Sequence, residues 1–412
     1  METHLSPEFI GTPMGLEADA ILRSCVHCGF CTATCPTYQL LGDELDGPRG
    51  RIYLLKQVFE GGQTSRITQQ HLDRCLICRS CETTCPSGVQ YHRLLELGQS
   101  VLASKVPRSL RERLLRWGLR LVVPKPQRFA FVLALARGIA PFLPQAMRRK
   151  IPQTRPAGNW PSLEGKRLQR RMLVLEGCAQ SVATPLTNAA AARIFARLDI
   201  ALVRAAGAGC CGALAQHLSA EDTALDDMRR NIDAWWPHIE AGAEAILVTA
   251  SGCGVQVKDY GDLLRHDPLY AARAARVAAL VRDPVEVLSA LDLAPIGQPG
   301  RGRRVAVHTP CSLQHGLQLN GKIEAILTRL GYVPVPTRDG HLCCGSAGSY
   351  SVLQPEISQR LLVNKLAVLE EAKPELIVTA NVGCQLHLET QSEHSIRHWL
   401  ELLDVAENNA GT

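Results

Sequence analysis

Apolar positions change their period once along this chain. In the first hundred residues they recur at i, i+3 and i+4. The segments are 16–23 (LEADAILR), 52–60 (IYLLKQVFE) and 92–105 (HRLLELGQSVLASK). That stripe predicts amphipathic helices. From 171 onward short aliphatic runs replace them, at 171–178, 200–205, 245–250, 303–309, 332–336 and 375–380. These read as strands. Alanine- and leucine-rich amphipathic stretches lie between them, near 186–198, 220–240, 319–331 and 354–372. Strand and helix in alternation predict an α/β arrangement with a mostly parallel sheet. The expected fold class is therefore mixed, an all-α N-terminal domain followed by α/β. Expected boundaries are 1–104 for the helical domain, 105–170 for a connecting segment, and 171–295 and 301–412 for two α/β units.

The two α/β units are a repeat. Cys178 and Cys311 are 133 residues apart, as are Cys210 and Cys343, and Cys211 and Cys344; Cys253 and Cys384 are separated by 131. Flanking sequence repeats too, AGCCG at 208–212 with HLCCG at 341–345, and AILVTASGC at 245–253 with LIVTANVGC at 376–384. Each cysteine falls near a strand end or before a helix. In open α/β sheets ligands gather outside the carboxyl ends of strands, so each set of four is expected to converge in one pocket.

Composition narrows the function classes. With 46% apolar and 20% charged residues the chain is an ordinary globular one. No run reaches the roughly 20 apolar residues of a spanning helix. The opening METHLSPEFI has neither a basic n-region nor an apolar h-region, so no secretory signal is expected. Sixteen cysteines in 412 residues fall short of the roughly 8–10% of a disulfide scaffold. Reduced thiols at fixed spacings read first as metal ligands, and the expected location is cytoplasmic.

Charge is unevenly spread. Residues 105–171 carry seventeen Lys or Arg against Glu112 and Glu164, a net of +15 in a chain of +6. The remainder is therefore about −9. This proline-rich stretch reads either as a solvated, partly helical linker or as a surface for anionic lipid or an acidic partner. No aromatic interleaving accompanies the charge, so nucleic acid is not expected. The apolar run 129–144 is broken by Arg137, Pro141 and Pro144. It is suited to lying on a membrane, at the inner face, and not to crossing one.

The strongest chemical signal is C-x2-C-x2-C-x3-C-P, present twice, as Cys25, Cys28, Cys31, Cys35 and as Cys75, Cys78, Cys81, Cys85. This is the bacterial-type run for [4Fe–4S] clusters, whose fourth cysteine ligates the other cluster. On that rule one cluster takes Cys25, Cys28, Cys31 and Cys85. The second takes Cys75, Cys78, Cys81 and Cys35. Paired zinc sites would use C-x2-C knuckles instead. Neighbouring clusters make a path for single electrons. The second eight, Cys178, Cys210, Cys211, Cys253, Cys311, Cys343, Cys344 and Cys384, leave three readings open: a further iron–sulfur site, a redox dithiol, or inert buried thiols.

Other residues divide between two roles. His27 lies inside the first cysteine loop, as a tuner of potential or an exposed bystander. Arg49 and Arg51 either pin the loop near the first cluster or pair with the acids of GDELD (42–46). His308 reads as a strand residue packed in the core. Trp235 and Trp236 read as core and interface.

Several segments together resemble a known family: SCVHCGFCTATCPTYQLLGDELDGPRGRIYLLKQV (24–58), CLICRSCETTCPSGVQYHRLL (75–95), NIDAWWP (231–237) and the two CCG repeats. The chain is similar to the iron–sulfur subunit of bacterial glycolate oxidase over nearly its whole length. The resemblance implies a helical two-cluster ferredoxin domain and two CCG domains of the heterodisulfide-reductase type. In that pattern the last element is C-x-x-C. Here it is reduced to Ser251-Gly252-Cys253-Gly254 and Val382-Gly383-Cys384, so a five-thiol arrangement is lost and a four-thiol one survives. The implied function is electron transfer within a glycolate (2-hydroxy acid) dehydrogenase complex. No Gly-rich dinucleotide fingerprint follows a strand here. FAD is thus expected on another subunit; the resemblance implies a FAD-bearing catalytic partner and a second FAD-domain partner, with an acceptor such as a membrane quinone. Subunits of anaerobic glycerol-3-phosphate dehydrogenase and of D-lactate dehydrogenase are similar in architecture. A disulfide reductase acting at its own CCG site is the alternative of another class.

Overall fold

Prolines and side-chain caps fix where the N-terminal helices begin. The protein, seen in a computed structural model, is described for residues 1–162, 168 and 170–404. Parts of the expected connecting segment (163–167 and 169) and of the last unit (405–412) lie outside these residues. Helix α1 (Pro13–Ser24) opens with Thr12 accepting from the Gly15 amide and Pro13 in the first turn. It is followed by α2 (Pro36–Leu41), α3 (Pro48–Phe59), α4 (Arg66–Asp73), α5 (Ser80–Thr83) and α6 (Tyr91–Lys105). Leu22, Leu55, Phe59, Leu72, Leu94 and Leu95 close their common core. The three expected helices are present, and the two cysteine runs lie in the loops between α1 and α2 and between α4 and α6.

The basic stretch folds as two helices, α7 (Leu110–Val122) and α8 (Pro126–Ile139). Ser109 and Glu112 form a capping box at the start of α7. Arg108 and Arg116 both reach Asp73 of α4, tying the helix down. Phe129 of α8 tucks against Ala183, Ala250 and Val382. Otherwise the pair is bare: no residue of α7 is buried, and of α8 only Leu133 is. Among the described residues no helix is long and apolar enough to cross a membrane.

The α/β half contains two four-stranded parallel sheets of the same topology. Strands β1 (Arg170–Leu175), β2 (Ile200–Arg204), β3 (Ile246–Val248) and β4 (Val281–Arg282) run in the order β2-β1-β3-β4. Strands β5 (Arg304–His308), β6 (Val333–Val335), β7 (Leu376–Thr379) and β8 (Ile396–His398) repeat it as β6-β5-β7-β8. Alternation sorts the side chains onto two faces. Met172 and Val174 of β1 join Val305 and Val307 of β5 in one core that both repeats build, with Phe195, Leu327 and Trp399. Leu173 and Leu175 face the other way, onto Met228, Ile232 and Trp235. The expected helices lie at Leu186–Arg197, Glu221–Glu240, Lys322–Arg329 and Pro355–Glu370. Edge strands β4 and β8 were not anticipated, having only two and three residues.

His398 at the end of β8 makes part of the fold pH-dependent. Its Nε2 lies 3.0 Å from the Thr249 carbonyl, and its Nδ1 accepts from the Leu400 amide. Both bonds use the neutral ring, and burial pushes the imidazole down to about 4. The folded-state value lies below the unfolded one near 6.5. The stabilisation is therefore complete above pH 6.5 and is lost as pH falls toward 4. Integrated over that window the loss is roughly 3 kcal/mol. His398→Gln keeps a donor toward Thr249 and is expected to flatten the dependence of unfolding midpoint on pH between 7 and 4.5. Parallel slopes for the two proteins would disprove this origin.

Candidate functional site

Left-handed backbone shapes both N-terminal cysteine loops alike. In Cys25–Gly29 the third and fifth residues, His27 and Gly29, have φ of 54° and 84°; in Cys75–Arg79 their counterparts Ile77 and Arg79 have 52° and 60°. A β-branched residue there is strained, a state that persists only when its surroundings impose it. The twist turns backbone amides inward, and Ile77 donates to Cys75 Sγ at 3.4 Å. Two cavities result. One is lined by Cys25, Cys28, Cys31, Cys81 and Cys85, and the other by Cys35, Cys75, Cys78 and Cys81. Pro48, Cys81 and Tyr91 belong to both walls, so the cavities are immediate neighbours. Much of the remaining wall of the first is apolar, with Val26, Ile52, Pro86 and Val89. A pocket of soft sulfur donors fits an iron–sulfur cluster. Burial raises Cys31 to about 11 and also raises Cys75, Cys78 and Cys81. Left bare they stay protonated, and ligation releases those protons.

Arg51 sits against the second cavity. It is 1% exposed and donates to the His71 carbonyl (2.8 Å), Thr37 Oγ1 (3.0 Å) and Asp46 Oδ1 (3.4 Å). Arg74 and His71 complete the ring round Asp46. Its charge faces Cys75 and Cys35. Arg49 pairs with Glu44 at 2.7 Å and lines the first cavity. Both arginines thus pair with acids of GDELD. Of the two alternatives the ion pairs are observed for both; Arg49 in addition lines the first cavity, while α3 turns Arg51 toward the second. His27 borders the first cavity, half-buried, with Nε2 3.0 Å from Met1 Sδ.

Each repeat gathers its four thiols. In the first, Cys178 Sγ is 3.5 Å from Cys210 Sγ, and Cys211 bridges onward from Cys210 to Cys253. The Cys178 and Cys211 thiols, with the Gly212 amide, favour the thiolate of Cys210 and hold it well below the usual thiol range. In the second, Cys311 and Cys343 are 4.0 Å apart, followed by Cys344 and Cys384. The glycine of each CCG is left-handed, Gly212 at 89° and Gly345 at 88°, and a Cβ on Gly345 would meet the Ser358 carbonyl at 2.6 Å. Residues not anticipated from sequence clamp these loops. Asn231, fully buried, accepts from the Gly209 amide at 2.8 Å and donates to the Cys210 carbonyl at 2.7 Å. Tyr260 donates to the Cys211 carbonyl and Ser358 to that of Gly345. Asn231 belongs to the NIDAWWP segment, so its motif was visible but its task was not. Trp235 beside it is core, while Trp236 lies on the surface under Arg273.

The two repeats meet the helical domain differently. Arg79 and Arg265 link it to the first repeat through ion pairs with Asp259 and Glu17. The second repeat makes an apolar contact in which Cys78, Cys311 and Cys343 pack with Leu76, Tyr350, Ile357 and Leu361. Tyr350 also donates to the Arg74 carbonyl at 3.0 Å. The second thiol pocket is therefore in line with the second cavity.

Comparison with known proteins agrees with this layout. The family described as "4Fe-4S dicluster domain" matches residues 21–89, and that described as "Cysteine-rich domain" matches 172–258 and 305–389. The "Glycolate oxidase iron-sulfur subunit" of Escherichia coli (strain K12) is 54% identical over 407 residues, covering 98% of this chain and 99% of that protein. The chain belongs to the family of glycolate oxidase iron-sulfur subunits. As a member of it, the chain is an iron–sulfur protein. The "Probable glycolate oxidase iron-sulfur subunit" of Bacillus subtilis (strain 168) is 29% identical over 89% of this chain and 88% of its own length. "Lactate utilization protein A" of Geobacillus kaustophilus is 29% identical over 43% of this chain and 74% of its own.

Proposed function

We propose that this glycolate oxidase iron-sulfur subunit carries electrons singly from the flavin of a partner subunit, reduced by glycolate or a close 2-hydroxy acid, to a membrane quinone. The observation that carries the reading is the pair of thiol-lined cavities sharing a wall. Cys25, Cys28, Cys31 and Cys85 would hold one cluster, and Cys35, Cys75, Cys78 and Cys81 the other. When bound, a [4Fe–4S] cluster takes up and releases one electron at a time. The chain's own residues wall both cavities with thiols and apolar side chains, and Arg51 places a fixed positive charge beside the second. The CCG pockets are read as further iron–sulfur sites, and the chain as divided at 1–104, 105–170, 171–295 and 301–412. The test is co-purification of the tagged chain with its partners under anaerobic conditions. Glycolate should reduce the clusters in the complex and leave them oxidised in the isolated subunit. Reduction by glycerol 3-phosphate or D-lactate alone would move the assignment to those enzymes.

The location we propose is cytoplasmic, peripheral on the inner face of the membrane, held by α7 and α8. Their support is a bare surface of Leu110, Leu114, Trp117, Phe131, Leu135 and Phe142 beside exposed Arg111, Arg113 and Lys125. Apolar anchors with basic flanks suit an anionic bilayer surface. Leu114→Glu with Trp117→Glu removes two anchors, a loss of about 3 kcal/mol or roughly a hundredfold in partitioning. Co-sedimentation with phosphatidylglycerol vesicles measures it. Equal binding of variant and wild type would remove these helices from consideration.

A further inference from the structure

The two repeats agree in strand order and in their four thiols but differ at one strand end. β1 ends on Leu175, and β5, 133 residues later, ends on His308. Both side chains are 2% exposed. Leu175 is satisfied by its apolar neighbours. Neither ring nitrogen of His308 has a hydrogen-bond partner. Leaving one such group buried and unmet costs about 1–3 kcal/mol, and an orphan of this kind calls for an explanation, such as a missing ion. A ring nitrogen of His308 and the sulfurs of Cys344 and Cys384 all lie within 4.8 Å of one another. Two other titratable groups influence the ring, Lys365 and His387. Both are engaged elsewhere, Lys365 with the carbonyls of Asp339 and Gly340 and His387 with Ser358.

With Cys311 and Cys343 the pocket offers five donors, one more than a tetrahedral zinc ion takes. A polynuclear iron–sulfur centre uses them better. We propose that the second repeat holds an iron–sulfur centre with His308 as one of its ligands, whereas the first repeat binds through thiolates alone. This rests on the reading of the CCG pockets as iron–sulfur sites. Compared with a thiolate at the same position, a neutral imidazole leaves one negative charge fewer on the centre and a higher reduction potential, as histidine ligation does in Rieske centres. The second pocket is also the one packed against Cys78. The histidine-ligated centre thus stands next to the second cluster, placed to exchange electrons with it.

Full-length chain labelled with 15N-histidine, reduced by dithionite and observed by pulsed EPR, tests this. The expected result is 15N coupling on a signal that Cys344→Ser abolishes. In His308→Cys the same signal should persist without the coupling and titrate at a lower potential. A signal abolished by Cys344→Ser that shows no 15N coupling in wild type would overturn ligation by His308 and leave the iron–sulfur reading standing. If Cys344→Ser changes no signal and no iron content, the iron–sulfur reading of this pocket fails and the proposal with it.

Discussion

Cys78→Ser is expected to empty the second cavity and stop electron flow from glycolate to any acceptor beyond the flavin. Cys78 lines that cavity and packs against Cys311 and Cys343. Iron should fall by about four atoms per chain from the loss of one cubane. The turnover of the complex should fall by more than the roughly 10- to 100-fold that loss of an outer-shell partner causes. Cys28→Ser, at the exposed rim of the first cavity, should lose a similar amount of iron without disturbing the second repeat. Flavin reduction by glycolate should survive in both, which separates a broken wire from a damaged substrate site. One zinc per motif and no reducible centre in the wild type would defeat the prediction.

Asp46→Asn should be the most destabilising change outside the cysteines. Asp46 is 1% exposed and receives Arg51, Arg74 and His71 together. Removing one partner from a buried ion pair costs about 3–5 kcal/mol, because the other charge stays behind without compensation. Arg51 cannot turn to water, since its remaining bonds to His71 and Thr37 hold it in place. Thermal loss of the cluster absorbance, followed anaerobically, should move to markedly lower temperature. Adding Arg51→Met removes the stranded charge and should recover part of the loss. A single variant with wild-type midpoint would show that the ring round Asp46 contributes little.

The legibility of the molecule follows from the range over which each feature is encoded. Cysteine spacing is local, so the two N-terminal runs pointed to paired clusters directly. The equal 133-residue offsets made the second set a repeat before any strand was placed. Strand runs near 171, 245 and 375 were visible because parallel strands buried on both faces are continuously aliphatic. β4 and β8 escaped because Val281–Arg282 and Ile396–His398 are too short to show a period. Asn231, Tyr260 and Ser358 escaped for another reason. Each is a single polar residue whose partner is backbone many positions away, and nothing beside it in sequence marks the bond. His308 was expected in the core, where it lies. That one of its ring nitrogens stands within 4.8 Å of two cysteine sulfurs depends on how two strands and a CCG loop come together.

The core built jointly by both repeats has a consequence for heredity. Val174 and Val305 back onto one another's elements through Phe195, Leu327 and Trp399, so each half carries an apolar face that only its sibling covers. A chain cut near residue 300 would leave two fragments with that face open to water, and each is expected to be less stable alone than in the pair. Insertion, shuffling or loss can therefore act on the pair and not on a single copy. The thiol pockets lie on the far sides of the two sheets from this shared core, so a difference such as Leu175 against His308 leaves the joint packing untouched.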